Sequence, residues 1–440
     1  MLKFHVNYNE TGIVLKGHIS KSAQGVEIST LSNGIMIVSE QVPSVKSVHL
    51  GFWIDVGSRD EPRELEGCSH LLEHMLFQGT KNRTALEIDI SIESRGGALN
   101  AFTDRDLTCF TAHVLKEDMQ LAVEVLSDVL QNPLLESDSV YREKEVVLEE
   151  IGGNEDDPRE LIDDLSIETF WKGNSAAHPI LGSRDTINGM SKDQIQQYFR
   201  DRYVPSRIIV TAAGAVEHDR LAEELESRFE KRPISPAEER KPPEFVRELL
   251  FVERNINQVQ LCISTKGVPY GHQDRVALDL IAAYLGIGAS SKLFQELRVR
   301  RGLVYDVESQ NYFMKDAGIS SIFASTREQN LEQVLRCILD ELGEMRSGIE
   351  PSRLIETKRK LTGFLTLGSE GTEEKGHLLG ICTMRQGKPR TVQEEIEELQ
   401  SVTPEQTSSL ADRLFDKNKL SIALLGVSPK KGYNLTSKLL

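Results

Sequence analysis

The chain has 440 residues, with 52 Lys plus Arg against 68 Asp plus Glu, a formal net charge of −16. That acidic excess opposes binding to nucleic acid or to an anionic lipid surface, so neither is expected as a partner. With 39% apolar and 27% charged residues, and no apolar run near the ~18 residues of a membrane helix, the composition suits a soluble globular protein of several domains.

In chain order, Met1 to Gly12 lacks a charged-then-apolar leader pattern and holds Glu10 but no Arg. The five cysteines, at 68, 109, 262, 337 and 382, are scattered, odd in number and without a CxxC pair. Reduced thiols and a cytoplasmic setting are expected. Ile28–Glu40 reads as a hairpin turning at Ser32-Asn33-Gly34, and Val48–Val56 as a strand. Leu71–Phe77 reads as a helix, Leu107–Leu115 as a strand and Ser137–Ile151 as a helix. Arg207–Val216 closes the first half as a strand. Lys231 to Glu244, KRPISPAEERKPPE, has four prolines and many charges and reads as a stiff, solvated linker. Beyond it, Val259–Thr265 and Gly318–Ser325 read as strands and Pro351–Phe364 as a helix.

The halves resemble a diverged repeat. Met119, Val123, Leu126 and Leu130 recur at helical spacing, and Leu331, Leu335, Ile338 and Leu342 do the same 212 residues later. Each helix follows a strand and precedes another helix. The expected fold class is α+β: two tandem homologous α/β sandwich domains, each with helices packed on a mostly antiparallel sheet. The expected boundaries are 1–230, a linker at 231–246, and 247–440.

The strongest chemical signal is His70-Leu71-Leu72-Glu73-His74. Residues i and i+4 share a helix face, so both imidazoles can address one ion. Glu73, beside the second histidine, is placed to take a proton from water. Neutral imidazoles suit zinc, and the order HxxEH is that of the inverzincins. The flanking Leu71, Leu72, Met75, Leu76 and Phe77 argue for a buried helix. Cys68 points away from His70 and reads as a core residue. A third ligand is sought in Tyr141–Ile151, YREKEVVLEEI. There Glu143 and Glu150, seven apart, share a face that Glu149 does not. Spacing suggests one ligand and one supporting carboxylate, and does not say which is which.

With these residues the chain resembles the pitrilysin/insulinase family of zinc metallopeptidases, nearest its mitochondrial-processing-peptidase-like bacterial branch. The resemblance runs from about Ile28 to Leu424. GCSHLLEHMLFQGT is similar to the family's metal motif, and REKEVVLEEI to its downstream helix. That implies Glu150 as third zinc ligand and Glu143 as supporting carboxylate. GGALNAFTDRDLT, Gly96 to Thr108, resembles the family's edge strand beside the metal and implies Asn100 and Ala101 as substrate contacts. GASSKLFQELRVRRGLVYDV resembles a further signature and implies that Arg298 and Tyr305 reach the substrate carbonyl, where both can donate to an oxyanion. Cys109-Phe110 departs from the polar or tyrosyl residues common in relatives, which bears on subsite shape. His178 opens a His-Pro that matches a structural motif. The second half has no HxxEH. The 212 offset sets Ala282, Gly286 and Thr362 opposite His70, His74 and Glu150, so one zinc per chain is expected.

The resemblance implies a zinc endopeptidase, with Glu73 as base and the substrate extended along Gly97–Thr103. It implies peptides or unfolded segments as substrates, in a closed chamber that a homodimer completes. The alternatives are a non-catalytic core subunit of the same fold, or a processing subunit needing a different partner chain. Between Glu136 and Glu168 there are 13 acidic and 3 basic residues, a net of −10. Acids there, including Glu155, Asp156, Asp157, Glu160, Asp163 and Asp164, either line the cavity or face solvent. If they line it, basic peptides are preferred, and more so at low salt.

Overall fold

A computed structural model describes residues 20–21, 25–230 and 239–440. The segment Met1–Gly12 and linker residues 231–238 lie outside the described residues. Twelve strands are described: β1 Ser20–Lys21, β2 Val26–Thr30, β3 Met36–Gln41, β4 Ser47–Ile54, β5 Ala98–Thr103, β6 Thr108–Leu115, β7 Ile208–Gly214, β8 Leu249–Val252, β9 Val259–Lys266, β10 Val304–Phe313, β11 Gly318–Thr326 and β12 Ser421–Leu425. They form two sheets, ordered β1-β2-β3-β7-β4-β6-β5 and β10-β11-β9-β12-β8. Only β3–β7 and β12–β8 pair in parallel. The α+β class, with two tandem helix-on-sheet halves, is the observed architecture.

The strands follow from their side-chain alternation. On β4, Val48, Leu50, Phe52 and Ile54 enter the core beneath the helices. His49 and Trp53 point to the opposite face and are also buried. A strand buried on both sides needs an almost unbroken apolar run, as SVHLGFWI supplies. In the second half, Leu331, Val334, Leu335, Ile338, Leu342 and Met345 line the buried stripe of the Leu331–Met345 helix.

What covers the second faces was not legible from the periodicity. The Pro158–Phe170 helix of the first half packs on β9 and β12 of the second. It sets Ile162, Ile167 and Phe170 against Cys262, Phe323 and Ala423. In return, the Thr372–Gln386 helix of the second half packs on β3, β4 and β7 of the first. Gly376 and Gly380 permit its approach. A Cβ would stand 2.5 Å from His49 Nδ1 at the first and 1.9 Å from Trp53 Cε2 at the second. Each half therefore lends one helix to the other's sheet.

The repeat is visible in detail. The Lys192–Arg202 helix begins with the capping box Ser191/Gln194, and the Pro404–Leu414 helix with Thr403/Gln406, 212 residues later. Lys144 Nζ donates to the Asn188 and Met190 carbonyls, and Lys358 Nζ to those of Gln400 and Val402. The lysines are 214 apart, as are the helix N-caps Glu136 and Glu350. In this helix the register is therefore shifted by two. Phe364, rather than Thr362, stands at the counterpart of Glu150.

The end of the proline-rich linker is not merely solvated. Arg240 is largely buried and pairs with Asp55 at 2.7 Å and Asp60 at 2.6 Å. All five cysteines are buried and free. Among the described residues, no helix is long and apolar enough to cross a membrane.

Candidate metal centre

His70 and His74 lie on the Cys68–Leu76 helix. Leu71, Leu72, Met75 and Leu76 press that helix into the core, which leaves His70, Glu73 and His74 half-buried on its other side. Its N-terminus is held by an acid from the preceding loop. The buried Glu61 carboxylate accepts from Gly67 N at 2.7 Å and Ser69 N at 2.6 Å. Burial pushes the Glu61 carboxyl up to about 8, while those two amides pull it down. Cys68 is buried in the same core and its thiol is pushed up by burial. It takes no part in the centre.

Glu150 comes from the Ser137–Asp156 helix, which packs against the first. Its Oε2 lies 3.6 Å from His70 Nε2 and 3.7 Å from His74 Nε2. The three donor atoms lie within 4.8 Å of one another, as a shared ion requires. Across a tetrahedral ion with bonds of about 2.1 Å, donors sit about 3.4 Å apart. The observed separations fit that arrangement and exceed hydrogen-bond length. Glu143 Oε2 meets His74 Nδ1 at 3.3 Å on the far side of the ring. That contact orients the ring so that Nε2 faces Glu150. His70 Nδ1 is buried with no hydrogen-bond partner. Burial, then the neighbouring His74, lowers the His70 pKa to about 4, so the imidazole is held neutral. A neutral imidazole is the form that binds a metal.

Glu73 projects from the same helix. Burial raises its carboxyl above the usual range, Glu150 adds to this, and the Thr103 hydroxyl and His74 oppose it. Thr103 Oγ1 donates to Glu73 Oε2 at 2.6 Å. Thr103 ends β5, which pairs only with β6 and is the free edge of the sheet. Asn100 and Ala101 lie on this edge, and Asn100 Oδ1 accepts from the Ala101 amide at 2.9 Å. Cys109 and Phe110, on β6, are fully buried. They pack against Trp53 and Phe77 and present no surface of their own to a substrate.

Arg298 and Tyr305 are both exposed and keep together. The Arg298 guanidinium lies 5.1 Å from the centre of the Tyr305 ring and 4.9 Å from that of Phe294. Arg298 sits on the π-helical turn Phe294–Arg300. Among the described residues, no hydrogen bond, ion pair or ring contact joins either to His70, Glu73, His74 or Glu150. His178 has a structural place, with Nε2 3.4 Å from Glu66.

Several acids of the acidic segment face solvent while pairing with arginines. Glu155 meets Arg184 at 2.9 Å, Asp156 meets Arg254 at 3.3 Å, and Asp164 lies 3.7 Å from Arg105. Asp157 caps the Pro158–Phe170 helix. Asp163 is partly buried and its carboxyl is raised to about 6, burial being the main cause. Two positioning groups, Glu61 and Thr103, escape a reading by spacing. Glu61 lies in an aperiodic loop, and Thr103 meets Glu73 only across 30 residues of chain.

The family described as insulinase (peptidase family M16) matches residues 36–184, and the peptidase M16 inactive domain matches 189–361. The second match begins before the linker and stops within the Pro351–Gly368 helix. A Bacillus subtilis protein named as the uncharacterized zinc protease YmxG is 35% identical over 402 residues, covering 91% of this chain and 97% of that one. A Streptomyces coelicolor protein, also named an uncharacterized zinc protease, is 34% identical over 408 residues, covering 90% and 89%. In fold, the chain is similar to a protease from Helicobacter pylori, with TM-score 0.84, 21% identity, and 91% and 99% of the two chains covered. It is also similar to a chain of complex III2 from Candida albicans, with TM-score 0.81, 18% identity, and 94% and 100% covered. The chain belongs to the insulinase family, peptidase family M16, with its peptidase match in the half that holds His70, His74 and Glu150.

Proposed function

We propose that this protein is a zinc-dependent endopeptidase that cuts peptides or unfolded segments bound in extended form. The observation that carries the reading is the convergence of His70, His74 and Glu150 with Glu73 beside them. Relatives named as zinc proteases support the metal and the reaction class. His70, His74 and Glu150 would hold one zinc ion per chain, and Glu143 would steady His74. A zinc ion there supplies a Lewis acid that lowers the pKa of water and polarises a carbonyl. Glu73 takes the proton from the attacking water and returns it to the leaving amine. The β5 edge pairs with the substrate backbone through Asn100, Ala101 and their neighbours, which favours extended chains over folded ones. Arg298 and Tyr305 donate to the oxyanion. They come to the substrate from the second half, inside a chamber completed by a second copy of the chain.

Zinc content of the purified chain and cleavage of a quenched basic peptide, with and without chelator, test the reading. One zinc per chain is expected, with chelator-sensitive cleavage that Glu73→Gln abolishes. Full activity in Glu73→Gln would overturn the assignment. Light scattering tests the assembly, and an active monomer would remove the homodimer. The fold also occurs in a chain of complex III2, so a core subunit of a larger assembly is the second reading. Persistent absence of cleavage by the zinc-loaded chain would favour a core subunit or one needing a different partner.

A further inference from the structure

The proposed base, Glu73, is a flexible side chain on a helix surface, yet one of its oxygens is held. Thr103 Oγ1 donates to Oε2 at 2.6 Å, in the short range of charge-assisted O–H···O⁻ bonds. Among the described residues, Oε1 has no hydrogen-bond donor and is the oxygen left for the reacting water.

Thr103 itself has little freedom. It ends β5 in register with Thr108. The next residue opens a turn closed by Asp104 N donating to Leu107 O at 2.8 Å. The second half grips that turn. Arg385, on the Thr372–Gln386 helix, reaches Asp104 at 2.5 Å and Asp106 at 2.9 Å. The Tyr312 hydroxyl donates to Asp104, and the Lys315 amide donates to Asp106 at 3.0 Å. From the first half, the Ser58 and Arg59 amides donate to the Asp104 and Arg105 carbonyls. A hydroxyl on so restrained a turn imposes its position on the glutamate.

We infer that Thr103 is a positioning residue for Glu73. It fixes the carboxylate so that Oε1 faces the reacting water, and it ties the base to the strand along which the substrate lies. The second half, which carries no metal motif, contributes by holding the turn behind Thr103. A substrate that pairs with β5 also immobilises the base. This inference rests on the peptidase reading, and the experiment separates the two.

Thr103→Val keeps shape and β-branching but loses the hydroxyl, Thr103→Ala removes both, and Thr103→Ser keeps the hydroxyl. For each full-length, zinc-loaded variant, kcat, KM, bound zinc and melting temperature are measured. Crystals of wild type and Thr103→Val report the orientation of Glu73. The expected result for Thr103→Val and Thr103→Ala is a kcat at least tenfold lower, part of the 10²–10⁴ that a well-placed general base supplies. KM stays within about twofold, and zinc content and melting temperature are unchanged. Thr103→Ser recovers kcat to within about threefold of wild type. Glu73 takes more than one orientation in Thr103→Val. A kcat in Thr103→Val within twofold of wild type, or an equal loss in Thr103→Ser, would overturn the inference. Zinc-loaded wild type and Glu73→Gln are assayed alongside: absence of cleavage by wild type would sink the peptidase reading, full activity in Glu73→Gln the role of Glu73 as base, and in either case a single ordered Glu73 orientation in Thr103→Val still counts against the positioning role.

Discussion

Each imidazole of the centre needs a defined partner on its second nitrogen or a dry environment. His74 has Glu143 at 3.3 Å, and His70 has burial alone. That asymmetry predicts unequal consequences. Glu143→Gln keeps the shape but weakens the pull on the His74 ring. Zinc affinity should fall by about 10–100-fold, the range for such supporting groups, with melting temperature of the metal-free chain little changed. Competition with a chromogenic chelator measures it. Glu150→Gln should cost more, since it removes a charged donor rather than a support, and the same titration should find zinc bound more weakly than in Glu143→Gln. Spacing alone left these two glutamates interchangeable. Their difference arises because Glu150 faces both Nε2 atoms while Glu143 meets Nδ1 from behind.

The elements of the site are held by close packing at a few points. The Cys68–Leu76 helix is clamped at its start by Glu61, whose removal would strand two buried amides. Glu61→Ala should therefore lower stability by about 2 kcal/mol or more, seen as an earlier urea midpoint. The Thr372–Gln386 helix is seated by glycine against Trp53. Gly380→Ala puts a methyl carbon into the indole, so the helix must lift from the sheet. Overpacking of this kind costs about 1–3 kcal/mol. Amide exchange should quicken in Thr372–Gln386 and along β4, while the Leu331–Met345 helix stays protected. The helix Ser137–Asp156 and its counterpart Pro351–Gly368 illustrate how a repeat diverges. Both keep the lysine that ties the helix to a neighbouring carbonyl pair, but Phe364 stands at the counterpart of Glu150, so the second helix lacks that carboxylate.

At the scale of the whole molecule, the halves are joined by exchanged helices and by buried ion pairs. Arg59 meets Asp316 at 2.6 Å, and Arg385 meets Asp106 at 2.9 Å. His49 lies in this junction, on β4 beneath Gly376. Burial, then His113 and His377, lowers its pKa to about 4 from an ordinary 6.5. The unfolded chain therefore binds the proton more readily than the folded one. The stabilisation is complete above about pH 6.5 and is lost as the pH falls through 4, worth roughly 3 kcal/mol for a shift of that size. Acid should loosen the junction between the halves. Urea unfolding of wild type and His49→Gln at pH 7 and pH 4.5 tests this: the substituted chain should lose less stability on acidification. An equal loss would place the acid sensitivity elsewhere.

Much of this protein was legible in its sequence. The HxxEH helix, the Glu143/Glu150 helix and the repeat rest on local periodicity, whereas the edge strand beside the metal was implied only by the family resemblance. The 3.6-residue turn sets which side chains share a helix face, whatever lies far away in the chain. The polypeptide's own geometry therefore limits the candidate ligands to a few residues. Only the tertiary structure decided which helix covers which sheet, because both faces of β4 are apolar and periodicity does not name their partners. It also decided that acids such as Glu155 and Asp156 are paired with Arg184 and Arg254, and that Cys109 and Phe110 are buried. It brought Thr103 to Glu73. These outcomes depend on contacts between segments distant in the chain, whose energies are settled by packing and desolvation across the whole fold rather than by any window of sequence.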